Sequence, residues 1–387
     1  MDNPQAMCTI VAKNYIAQAR TLCDSFLSFH PDHKCYVLIV DEFVDYITAS
    51  AESFEIVALN ELSIPNLRSF CFKYNVTELC TAAKPFLLEH LTRNKSVARL
   101  LYIDPDILIT NRLGELYRTL DSSDIVLTPH IETDFPEDGR LPDDSALFLT
   151  GIFNLGFIGV RDSENTRRFL EWWKKKLYNK CTVDYRRGYF VDQKFMDLGA
   201  VLFDKVHIEK GVGYNVAYWN LHSRHIEKKD GTWICNGGPL YFFHFSGYQQ
   251  SDTEHLTYHL PKEFIRYSIS DKPEVKKMFF EYRERVDKNG YAEAHTWPYT
   301  FATFGNGRPI PYDYRKLYRE HLTQMEAYGD PFESSALVRR LFFKRLVSNE
   351  TTLAKFLSAL YTSIPGLRVV FNKLMGPRGP FAENRTS

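Results

Sequence analysis

The segment Tyr102-Ile103-Asp104-Pro105-Asp106-Ile107 combines residue types and a spacing that could hold a metal ion. The apolar run at 98–103 reads as a strand, and two carboxylates one residue apart follow where it ends and the backbone turns outward. Two hard oxygen donors at that place can share one divalent cation. An isolated Asp-x-Asp also suits a capped turn. The strand before it and Ile107-Leu108-Ile109 after it favour the metal. No phosphate-cradling loop competes for the role. There is no GxxxxGK[ST] segment and no GxGxxG after the first strand, and Gly211-Val212-Gly213 lacks a third glycine. A nucleoside diphosphate bound here would need a cation and scattered donors to meet its charge.

Elements able to position such a site are legible around it. Residues 8–12 read as a buried strand, followed by Ile16, Ala19, Leu22, Phe26 and Phe29 at the spacing of a one-faced helix that Pro31 ends. Residues 35–40 form a second apolar run, and 77–91 a helix with a kink expected at Pro85. Further strands are predicted at 125–128 and 152–160. The helix at 163–180 begins with Asp162 and Glu164 nearby and closes on lysines, the charge order that suits its dipole. Strands alternating with amphipathic helices predict an α/β fold with a mostly parallel central sheet covered by helices on both faces. Ligands in such sheets sit at the carboxyl ends of the strands.

Composition sets the outer bounds. Of the 387 residues 44% are hydrophobic and 25% charged, which excludes disordered and fibrous classes. The 15% aromatic share suits stacking on ring-shaped ligands and an aromatic core equally. Lys+Arg and Asp+Glu both total 48, so no global field recruits nucleic acid. The balance conceals an acidic body and a basic end, because residues 334–387 hold nine basic against two acidic side chains. Seven cysteines without a CxxC pair argue against a disulfide framework and a zinc knuckle, and predict a reducing compartment. The first residues lack the basic region of a leader peptide, and no uninterrupted apolar run of membrane-spanning length occurs. The expected organisation is a catalytic domain at 1–255, a mainly helical extension at 256–333, and a basic amphipathic tail at 334–387. In that tail Leu337, Leu341, Phe342 and Leu346 alternate with Arg339, Arg340, Lys344 and Arg345, a pattern suited to a membrane surface.

Several more segments stand in a fixed order around the paired aspartates: Thr9-Ile10-Val11-Ala12-Lys13-Asn14-Tyr15, Thr81-Ala82-Ala83-Lys84, Phe153-Asn154-Leu155-Gly156, Val191-Asp192-Gln193 and His244-Phe245-Ser246-Gly247. Together they resemble the metal-dependent nucleotide-sugar glycosyltransferases of the GT-A fold, most closely the retaining family of galactosyltransferases and glycogenin (glycosyltransferase family 8), over roughly residues 7–250. The resemblance implies that Thr9 and Asn14 contact uridine and that Tyr15 lies against the base. It places Lys84 near the ribose and diphosphate, and makes Asp104, Asp106 and His244 ligands of Mn²⁺ or Mg²⁺, with Asp104 also touching the donor. Asn154 would hydrogen-bond the transferred sugar, Gly156 would let the backbone approach it, and the Gly247 amide would meet a phosphate. Asp192 would bind sugar hydroxyls and Gln193 would lie beneath the reacting carbon. One departure stands out: members commonly carry a lysine shortly after the glycine matching Gly247, where this chain has Tyr248, Gln249 and Gln250.

The activity implied is transfer of a hexose from a UDP-sugar to a glycan or glycolipid acceptor, with retention, in cell-surface polysaccharide synthesis. The protein would be soluble in the cytoplasm or attached to the inner face of the membrane. Nucleotidyl transfer on a similar sheet and a non-catalytic sugar-binding scaffold are the competing classes. The aromatic and amide-rich stretch at 213–222, with Thr296-Trp297-Pro298-Tyr299, is a candidate acceptor surface. His255 and His259 have helical zinc spacing, but Leu256 stands where HExxH needs glutamate, so a metalloprotease is rejected.

Overall fold

A computed structural model of the chain describes residues 4–321 and 329–333. The basic stretch 334–387, with its expected membrane contact, lies outside them. The first half contains the predicted strands and helices together with β3, α2 and α4, which the sequence did not single out: β1 (Gln5–Val11), α1 (Ile16–Phe29), β2 (Lys34–Ile39), β3 (Glu55–Ala58), α2 (Leu67–Lys73), α3 (Val76–Arg93), β4 (Arg99–Ile103), β5 (Ile107–Ile109), α4 (Gly114–Ser122) and β6 (Ile125–Pro129). Next come α5 (Asp144–Thr150), β7 (Phe153–Arg161) and α6 (Glu164–Lys180). Pro85 is accommodated inside α3, which runs on for two turns beyond it. Ser163 caps α6 by accepting from the Thr166 amide.

The central sheet has the order Val206–Ile208, β6, β7, β4, β1, β2, β3. β1 pairs parallel with β2 and β4, β2 with β3, and Val206–Ile208 with β6. The predicted α/β fold with a mostly parallel sheet is thus present. β7 is the exception and runs antiparallel to both neighbours. Alternate residues of β1, β2 and β4 (Met7, Val11, Val37, Ile39, Leu101 and Ile103) join α1 and α4 in one buried cluster on one face. α3 packs on β1 and β4 and against α6 over the other face. Strands buried on both sides must be apolar at every position, which is why β1 and β2 read as continuous hydrophobic runs.

The chain divides into two compact units, Met1–Ile64 with Val76–Thr300, and Pro65–Asn75 with the described residues from Phe301 onward. In the second, a buried cation ties several backbone oxygens together. Arg315, on the helix Tyr312–Glu320, donates to the backbone oxygens of Cys71, Phe72 and Tyr74 at the end of α2 and to that of Phe301. The guanidinium fork thereby serves as a cap at the end of α2. In the first unit the helix Pro273–Lys288 follows residues 246–268, which form turns and bends; His255 and His259 therefore share no helix.

Among the described residues no helix is long and apolar enough to cross a membrane.

Candidate active site

Two backbone pairings carry the acidic residues and a distant histidine to one place. β4 meets β7 with Ile103 opposite Phe157, and the next amide, that of Asp104, donates to the Gly156 oxygen at 2.8 Å. β5 then pairs antiparallel with Phe242–His244, which sets His244 opposite Ile107, one residue beyond Asp106. The Phe245 amide closes the turn on the Asp106 oxygen at 2.8 Å. One ligand atom each from Asp104, Asp106 and His244 lies within 4.8 Å of the others. His244 Nε2 is 3.2 Å from Asp106 Oδ1. The imidazole is buried and the carboxylates are half-buried, so the group opens to one side.

A second charged layer lies behind the first. Lys84, brought in on the apolar face of α3, is 1% exposed and ion-paired with Asp192 at 2.6 Å. It also lies 3.9 Å from Asp104, donates to the Leu155 oxygen at 2.7 Å and sits 4.2 Å over the Tyr102 ring. The Tyr102 hydroxyl donates to Asp104 Oδ1 at 2.6 Å. Burial disfavours the Lys84 charge, but Asp192 and Asp104 outweigh it and hold the ammonium above its ordinary value. Asp192 follows Val191, whose φ of 39° is a strained conformation for a β-branched residue. Its side chain is turned to Lys84 rather than capping the short helix Gln193–Phe195.

Asn154 and Gln193 are interlocked. Asn154 Nδ2 lies 3.3 Å from Gln193 Oε1 and 3.4 Å from His130 Nε2, while its Oδ1 accepts from the Gly156 amide and His244 Nδ1, both at 3.2 Å. An amide has two donor hydrogens and two acceptor lone pairs, so all four positions of Asn154 are occupied by protein. Gln193 Oε1 takes a second donor, the Leu155 amide at 3.2 Å, and its Nε2 donates to the Thr150 oxygen at 3.0 Å.

Gly156 leaves the room that the imidazole occupies. A Cβ there would stand 2.5 Å from His244 Cε1, 2.7 Å from Nδ1 and 2.8 Å from Asn154 Oδ1. Gly156→Ala is therefore expected to lower stability by about 1–3 kcal/mol through overpacking. It should also weaken Mn²⁺ binding at least tenfold, as second-layer disruptions do. Urea unfolding and calorimetric titration with Mn²⁺ measure the two effects. Gly247 has φ +74°, and a Cβ there would collide with Thr257 Oγ1 and stand 2.8 Å from the His259 ring.

The first strand is arranged differently. Thr9 is wholly buried inside β1 with its hydroxyl unpartnered. Asn14 and Tyr15 are half-buried in the short helix Lys13–Tyr15, and Tyr15 packs on the core cluster close enough to Asp106 and Asp104 to feel their charge. In the aromatic and amide-rich stretch, Asn215 and Asn220 are buried and donate to the Pro129 and His130 oxygens, so both hold up the end of β6. Trp219 sets its ring edge-on between His244 and His130, at 5.3 and 5.2 Å. Trp297 packs on the main core. In place of the lysine expected after Gly247, Tyr248 and Gln250 bond to each other and to Arg283.

The sequence assigns no role to Tyr102 or His130, and it places Trp219 only within the candidate acceptor stretch 213–222. Tyr102 and His130 stand at or just past the ends of β4 and β6, the positions where this sheet class binds ligands, and that rule would have singled out both. Burial pushes His130 down to about 4, so its ring is neutral at pH 7.

No protein-family model matches the chain. Two curated proteins of Bacillus subtilis (strain 168) are similar to it. Uncharacterized protein YfnF is 26% identical over 280 residues, covering 71% of this chain and 90% of its own. Uncharacterized protein YfnD is 26% identical over 284 residues, covering 71% and 86%. Among solved structures, the galactosyltransferase LgtC in complex with donor and acceptor sugar analogs is similar at a TM-score of 0.42 and 16% identity, covering 72% of this chain and 95% of that one. The glycosyltransferase GlyE of Streptococcus pneumoniae TIGR4 is similar at 0.42 and 13%, covering 78% and 67%. The mostly parallel sheet, with paired aspartates just past the end of β4, is the arrangement that the resemblance to GT-A glycosyltransferases implies.

Proposed function

We propose that the protein is a metal-dependent GT-A glycosyltransferase that moves a hexose from a UDP-sugar to a saccharide or glycolipid acceptor with retention. The observation that carries this reading is the convergence of Asp104, Asp106 and His244, from two segments far apart in the chain, within 4.8 Å. Two carboxylates and one imidazole suit Mn²⁺ or Mg²⁺ better than a soft metal, and Gly156 keeps the imidazole seated toward them. When bound by these three side chains, such a cation supplies Lewis-acid stabilisation of the diphosphate charge that grows as the anomeric bond breaks.

The chain's own residues meet the other demands. Burial pushes the Asp192 carboxyl up and Lys84 opposes that push, while the same ammonium adds a fixed positive charge beside Asp104, on the side where a diphosphate would gain charge. Asp192 is suited to accept from sugar hydroxyls that it thereby orients. Gln193 offers a neutral carbonyl dipole, which favours a cationic sugar carbon yet makes a poor covalent nucleophile. That chemistry supports same-face departure and attack over a double displacement. Incubation with a panel of UDP-sugars and Mn²⁺ should release UDP slowly from one of them, and proton NMR should show the product with the donor's anomeric configuration. An inverted product would remove the retaining assignment, and tight nucleoside-triphosphate binding without sugar release would favour nucleotidyl transfer.

The basic residues 334–387 support a peripheral membrane contact that would suit a lipid-borne acceptor. Deleting them is expected to reduce co-sedimentation with anionic liposomes while leaving neutral liposomes unaffected. Unchanged co-sedimentation would exclude the tail as the anchor.

A further inference from the structure

The turn that follows His244 carries backbone donors without protein acceptors. The Phe245 amide is fixed on the Asp106 oxygen, and the Tyr248 amide closes the turn on the Phe245 oxygen at 2.9 Å. Gly247 takes φ +74° between them. Among the described residues neither the Ser246 amide nor the Gly247 amide donates to a protein oxygen. Consecutive free amides beside one left-handed residue form a concavity that suits an anion. A positive charge stands over the same segment. Arg283, half-buried on the helix Pro273–Lys288, donates from Nε to the Tyr248 hydroxyl at 3.3 Å and from Nη2 to the Asp252 oxygen. Gln250 ties the helix to the turn by donating to the Arg283 oxygen at 3.0 Å. Among the described residues no carboxylate pairs with this guanidinium, and that of Asp252 is engaged by His255 and Tyr258. Its Nη1 hydrogens therefore have no acceptor, although a half-buried charge is ordinarily paired. Tyr15 lies near enough to Asp106, Asp104 and Tyr248 to feel all three, so the segment that Arg283 holds borders the paired aspartates.

We infer that Arg283 is a donor-binding residue whose guanidinium, together with the Ser246 and Gly247 amides, holds the diphosphate of the nucleotide. The inference rests on the proposed transfer reaction and adds to it a residue from beyond the segments that carry the resemblance. The planar fork of an arginine matches two phosphate oxygens at once, and Tyr248 fixes its orientation from one edge. The diphosphate departs with the electron pair of the anomeric C–O bond, so a fixed cation beside it stabilises it more after cleavage than before.

The test compares Arg283→Gln, which keeps donors but loses the charge, with Arg283→Lys, which restores the charge without the fork. Titration calorimetry on the full chain reads UDP in Mn²⁺, and inorganic pyrophosphate in Mg²⁺ as a probe that lacks base and sugar. Arg283→Gln should weaken both about tenfold or more, the scale of a charge-assisted hydrogen bond. Arg283→Lys should recover most of that loss. Unchanged UDP affinity in Arg283→Gln, with the wild type binding UDP, would overturn the inference and leave the proposed function standing. So would a loss confined to UDP, because a diphosphate contact acts on both probes. A loss that follows a lowered urea midpoint and is not recovered by lysine would reduce Arg283 to a structural role. If the wild type binds pyrophosphate through Arg283 but binds no UDP, the nucleotide reading falls and the diphosphate site stands. Binding of neither probe would overturn both.

Discussion

Replacing Asp104 with alanine should abolish metal-dependent UDP binding and lower the transfer rate by about a thousandfold or more, the scale expected when a preorganised charge is removed from a reacting diphosphate. The carboxylate is one of the three side chains that converge on the site, and it accepts from the Tyr102 hydroxyl at 2.6 Å. Its removal leaves Asp106 and His244 as a two-sided grip. Asp104→Asn separates charge from shape, because an amide oxygen can keep the Tyr102 bond while the negative charge is gone. Calorimetric titration of UDP with and without Mn²⁺ is expected to show the metal-dependent component lost in both variants. Asp104 is half-buried, so urea midpoints should stay near that of the wild type. Retention of metal-dependent UDP binding by Asp104→Ala would remove the paired aspartates from the proposed mechanism.

The largest loss of stability is expected from Lys84→Met. The ammonium is buried against Asp192 and also donates to the Leu155 oxygen, so its removal strands a buried carboxylate and a buried carbonyl. Breaking one side of such a pair costs about 3–5 kcal/mol, because the remaining charge has neither water nor a counter-ion. Asp192→Asn in the same chain should recover most of that loss, since a neutral amide beside a thioether leaves no unpaired charge. Urea unfolding of the two single variants and the double variant measures the coupling. Sugar transfer should stay absent in the double variant, which would separate the pair's role in the site from its role in the fold. Additive losses of stability would show that the two side chains do not act as a pair.

Both predictions rest on residues that the sequence already marked, and for the aspartates the reason is local. Asp104 and Asp106 follow an apolar strand, and a strand end in an alternating α/β chain is where ligands bind. Lys84 was marked through the resemblance that Thr81-Ala82-Ala83-Lys84 carries, and only the structure shows it buried. His244 was legible only through its companion segments, because one histidine in an aromatic strand carries no sign of what it will face.

Periodicity, apolar runs and turn residues were enough to determine that the chain alternates strands with helices, that its sheet is mostly parallel, and that acidic side chains end β4. These are properties of short windows, and burial of both faces of a strand leaves a direct imprint on residue type. The tertiary structure alone decided that β7 runs against its neighbours, that β5 pairs with Phe242–His244, that Thr9 is sealed inside β1, and that Asn154 is saturated by four protein partners. Each depends on which distant segment lies alongside, and a hydrogen bond of about 3 Å exists only once the whole sheet has set the distance between donor and acceptor.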